Sequence, residues 1–110
     1  MARVSTNPVA RISGNVFADM GLPDAAELQT KARLCAAITQ IVVREKMTQA
    51  EVAEKLGINQ PKVSALLNYK LEGFSVERLM HFLVFLGLDV EIHIKNKPSS
   101  RSARIAVKAA

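Results

Sequence analysis

The chain has 110 residues, 49% of them hydrophobic, with a formal net charge of +5. That is enough for one domain with a sizeable core and too little for two. No apolar run approaches the roughly 20 residues that span a bilayer. A single cysteine excludes an internal disulfide. The first residues hold no apolar stretch of signal-peptide length, so a cytoplasmic protein is expected.

Residues 1–23 carry few helix signals. "VARISGNVFADMGLP" mixes β-branched residues with Gly14, Asn15, Gly21 and Pro23. It reads as an N-terminal arm with a short strand near residues 9–12. Asp24 and Glu27 then form a capping-box pattern, which opens a long helix to about Lys46. Leu34, Ile38, Ile41 and Val42 make its inward stripe at helical spacing. Cys35 sits in the same alanine-rich pattern and reads as packing.

Thr48 and Glu51 form a second capping box, just before the apolar pair Val52 and Leu56. Gly57 ends that helix, where a left-handed residue is least costly. Asn59 can cap the helix that follows. Pro61 falls in its first turn, where the missing N–H costs nothing, and Val63, Leu66 and Leu67 share one face. The last helix opens at Ser75, with Phe74 placed to staple onto Leu79, and stops after Leu86 at Gly87. "DVEIHIK" alternates Val90, Ile92 and Ile94 with Glu91, His93 and Lys95, a strand signature. Residues 95–110 hold five basic side chains and no acid, leaving the rest balanced at ten against ten. The tail reads as disordered when unbound, and its charge can hold phosphates.

The two short helices joined at Gly57 show the spacing Gln49–Ala53–Gly57–Val63–Leu66 of a helix-turn-helix unit. Ala53 lies at the helix crossing, where a larger side chain would push the pair apart. These residues resemble the helix-turn-helix of the phage-repressor (XRE) family. More narrowly, "GNVFADMGLP", "MTQAEVAEKLGINQPKVSALLN" and "GFSVERLMHFLVFLGLDVEI" are similar to HigA-like antitoxins and regulators. The likeness covers about residues 14–94. It implies a mainly α, four- to five-helix phage-repressor-like domain over residues 24–95 with a short C-terminal β-strand. An arm precedes that domain and the basic tail, residues 96–110, follows it. It also implies DNA binding and toxin neutralisation in one chain, the usual toxin of that family being a small ribosome-dependent RNase.

The second short helix has a face free to read DNA. Opposite Val63, Leu66 and Leu67 lie Pro61, Ala65 and Asn68, with Lys62 and Ser64 at the edges and no acid. Such a face suits an anionic partner. Gln60 and Asn68 can pair with adenine and Lys62 with guanine, and the helix N-terminus is favourable for phosphate. The plain alternative is soluble surface. Gln49, first in its helix, can bind a phosphate. Lys70 and Tyr69 follow the reading helix and can touch the DNA backbone, although Tyr69 serves equally well as packing.

Other chemistry has little to stand on. His81, His93 and Cys35 show no metal-ligand spacing. No nucleophile arrangement or phosphate-cradling loop is present, so neither an enzyme nor a cofactor is expected. The apolar residues of the last helix spread over more than half its circumference. A buried central helix accounts for that; so does a homodimer built on Phe82, Phe85, Val90, Ile92 and Ile94, which also gives the lone strand a partner. The expected function is a DNA-binding repressor of its own operon, antitoxin in type, acting on a palindromic duplex operator. The alternative is a protein-interaction module that chiefly masks a toxin.

Overall fold

The computed structural model describes residues 25–109. The expected N-terminal arm, its strand near residues 9–12 and the Asp24 cap lie outside the described residues. Four helices follow in order: α1 (Ala25–Arg44), α2 (Gln49–Leu56), α3 (Gln60–Leu67) and α4 (Val76–Phe85). The long α1 lies mainly against α4, while α2 packs on α3. The stripe Leu34, Ile38, Ile41 and Val42 is buried as its spacing predicts, and Cys35 is buried with it. Those residues meet Val52 and Leu56 of α2, Val63 and Leu66 of α3, and Leu79, Phe82 and Leu83 of α4 in one core. Because each short helix contributes only two or three fully buried side chains, none is stable except by this packing.

The starts of the helices follow the sequence closely. Thr48 Oγ1 accepts from the Glu51 N–H at 3.1 Å, while the Thr48 N–H donates to the Glu51 carboxylate at 2.8 Å. That reciprocal pair is the capping box. Asn59 Oδ1 accepts from the Lys62 N–H, and Ser75 Oγ from the Arg78 N–H. Phe74 and Leu79, the proposed staple, are both in the core.

The helix ends share one device. After each helix a left-handed residue turns the chain: Lys46 (φ 54°), Gly57 (φ 71°), Tyr69 (φ 59°) and Gly87 (φ 93°). The following N–H then reaches back to a carbonyl of the last turn: Met47 to Val42, Ile58 to Ala53, Lys70 to Ala65 and Leu88 to Leu83. This backward bond satisfies carbonyls that would otherwise be orphaned. Glycine adopts the left-handed conformation freely, whereas a side chain there costs roughly 1–2 kcal/mol. Lys46 and Tyr69 bear that cost.

One expectation about the C-terminal part is corrected. Among the described residues no strand forms, and residues 88–98 run without helix or ladder. A strand is completed only by a second backbone, and a single copy of the described residues brings none alongside. Val90 is half-buried against the core, but Ile92 and Ile94 are 73% and 94% exposed. In the basic tail, Val107 packs on the core near Ala37 of α1.

Candidate nucleic-acid interface

The α2–turn–α3 unit is set by Gly57, whose φ of 71° and ψ of 32° swing the chain between the two helices. Ala53, half-buried at the crossing, packs against the core as its spacing implies. Val63 and Leu66 are fully buried and hold α3 on the domain. A further tie comes from α1, where the Cys35 thiol donates to the Leu66 carbonyl at 3.1 Å. Burial pushes the Cys35 thiol above its ordinary pKa, and the Thr39 hydroxyl beside it pulls more weakly the other way. The thiol therefore stays protonated as a donor.

The outer face of α3 is thereby fixed. Gln60, Pro61, Lys62 and Asn68 are exposed on it, with Ser64 and Ala65 half-buried. Gln49 at the start of α2 and Lys70 after α3 are also exposed. No acid lies in the first turn of α3, and none occurs anywhere between Gln60 and Lys70. The unit therefore brings six of the eight expected DNA-contacting side chains to the surface, and Ser64 and Ala65 can make only shallow contacts.

Two details refine the reading from sequence. Asn68 spends one amide N–H on the Ser64 carbonyl at 2.8 Å. The same amide nitrogen also reaches the Ser64 hydroxyl at 3.5 Å, so the carbonyl oxygen is the group left open to a base edge. The start of α3 is also a poorer phosphate site than its position suggests. Pro61 has no N–H, and Asn59 takes the N–H of Lys62. Of these first-turn groups only the Gln60 N–H remains for an anion.

The residues expected at a dimer surface divide. Phe82 is 1% exposed, a core residue. Its ring meets Phe74 edge-on with centroids 5.8 Å apart, and the Arg78 guanidinium lies 5.5 Å above it. Phe82 is thus corrected from interface to core, because the side of α4 that carries it faces α1 and the loop holding Phe74. Phe85 is 52% exposed and lies beside Val84, itself 51% exposed. His81 and His93 are exposed and pair with Glu77 and Glu91. Among the described residues no cluster of potential metal ligands forms. No described helix is long and apolar enough to cross a membrane.

The sequence leaves Tyr69 open between the DNA backbone and packing; what it does not show is the left-handed conformation of that residue, φ 59°. Nothing in its identity signals a left-handed backbone, which glycine or asparagine would have announced.

Comparison with known proteins agrees with this geometry. A family model described as a helix-turn-helix domain matches residues 16–95. A search of curated proteins finds no relative. Among solved structures, one described as a candidate XRE family transcriptional regulator is similar at 62% identity and a TM-score of 0.76. The likeness covers 80% of this chain and all of that one. It is a family of DNA-binding regulators rather than enzymes, and this chain belongs to it as an XRE-type helix-turn-helix transcriptional regulator.

Proposed function

We propose that this regulator is a sequence-specific repressor that reads a palindromic operator as a homodimer, in the cytoplasm, with α3 in the major groove. The observation that carries the reading is the acid-free exposed face of α3, held rigidly by Val63, Leu66 and the Cys35 thiol. Gln60, Lys62 and Asn68 read base edges, Ser64 and Ala65 make shallower contacts beside Pro61, and Gln49 and Lys70 hold phosphates. A dimer is supported by the exposed Val84 and Phe85 on α4 and by the exposed Ile92 and Ile94 beyond it. Pairing residues 90–94 of two copies would complete the strand that one copy leaves unmade.

The likeness to HigA-like proteins supports an antitoxin controlling its own operon. The second reading, a module that chiefly neutralises a small RNase-type toxin, draws on the same exposed apolar patch of α4.

Selection of bound fragments from random duplexes, followed by footprinting, tests the first reading. The expected site is an inverted repeat with half-sites about ten base pairs apart. Gln60→Ala should relax preference at one base pair per half-site by about 1–3 kcal/mol. Ile92→Asp should break the dimer in sedimentation while each half-site keeps its preference. A footprint without two-fold symmetry, or no selected site at all, would favour the second reading.

A further inference from the structure

The four helix ends obey one pattern, and the end of α3 departs from it twice. Two of the left-handed positions are glycines, Gly57 and Gly87, and Lys46 at a third is exposed and unbranched. The fourth is an aromatic residue, Tyr69, in a conformation that bulky side chains avoid. Burial does not compensate, since Tyr69 is 47% exposed. The residue after the turn also differs. At three ends it is apolar and half-buried on the core: Met47, Ile58 and Leu88. An apolar contact of that kind ordinarily accompanies the motif. After α3 the same place holds Lys70, exposed and without such a contact. One helix end, at the edge of the acid-free face, therefore gives up both of the usual stabilising choices and displays a hydroxyl donor beside a cation. Strain of this kind persists where the side chain serves a function.

We propose that Tyr69 is a positioning contact on the DNA backbone, its phenol hydroxyl donating to a phosphate oxygen while Lys70 neutralises the neighbouring phosphate. This rests on the reading that α3 enters the groove, and it adds to that reading a clamp fixing how far the helix advances. Tyr69 carries no base preference. It sets the register in which Gln60 and Lys62 meet their bases.

The test uses the full chain and a mixed-sequence duplex about three helical turns long, titrated by fluorescence anisotropy at several salt concentrations. Tyr69→Gly relieves the backbone, so its melting temperature should rise by several degrees, yet duplex affinity should fall about three- to tenfold. Tyr69→Phe keeps the strain and the ring but loses the donor. It should lose affinity by a similar factor without gaining stability. Neither should alter the dependence on salt, because tyrosine is neutral. Lys70→Gln should lower the salt slope by about one unit. A merely structural Tyr69 would give a Gly variant that is more stable and binds as tightly as the parent, and that result overturns the proposal. A parent that binds no duplex would overturn the groove reading itself, and the clamp with it.

Discussion

Replacing Gly57 by alanine isolates the cost of one left-handed residue. A Cβ built there meets nothing within 4 Å, so no clash contributes and only the backbone matters. Holding an L-residue at φ 71° costs roughly 1–2 kcal/mol. The alanine also stiffens the unfolded chain, which returns about 0.4–1 kcal/mol. The net loss is therefore about 1 kcal/mol, and valine, with its branched Cβ, loses more. For a domain of this size that lowers the melting temperature by roughly 4–8 °C. Lys46→Gly is the mirror experiment. It removes an exposed side chain from φ 54° and should raise the melting temperature by a comparable amount. Thermal melts followed by circular dichroism read both. Should Gly57→Ala melt with the parent, or Lys46→Gly melt below it, the account of the helix ends given above is wrong.

Further outcomes follow from burial. Phe82→Ala should cost about 3–5 kcal/mol in urea titrations, because it empties a core position. Phe85→Ala should change folding little and should shift sedimentation toward monomer if α4 pairs two copies. Cys35 should resist iodoacetamide until denaturant opens the core. Its folded thiol pKa lies above the unfolded value, so its contribution is fully present at neutral pH. That contribution is lost as pH rises from about 9 upward. Cys35→Ala should lack that part of the alkaline decline in denaturant titrations, and an identical decline in both proteins would refute the assignment.

Helix starts were legible because Thr48, Asn59 and Ser75 cap through their own side chains at a fixed offset, independent of distant structure. Gly57 was legible for the same reason. Lys46 and Tyr69 were not, since their side chains do not prefer the conformation that the chain imposes. On α4 the apolar band was too wide to say which phenylalanine faces inward. Only the packing of Phe74 and the reach of Arg78 separate Phe82 from Phe85. The alternation from Val90 to Ile94 has a strand's period, but hydrogen bonding to another backbone decides whether a strand exists. In the candidate site, the composition of the α3 face was readable by helical spacing. The loss of the Lys62 N–H to Asn59, and of one Asn68 N–H to Ser64, was not. Those bonds depend on which of several acceptors the folded turn brings nearest.

The thiol bond from Cys35 to the Leu66 carbonyl bears on how the duplex is chosen. An eight-residue helix has no stability of its own, and this one is tied to α1 at its last turn as well as by Val63 and Leu66. Amide protons of α3 should therefore exchange only when the whole core opens, with no separate local unfolding. On the proposal that α3 enters the groove, a helix that cannot loosen cannot adapt to a groove of the wrong width. The accommodation then falls on the nucleic acid. Sites with pliable pyrimidine–purine steps at positions the protein never touches should outcompete stiff A-tracts there, even when every contacted base is the same.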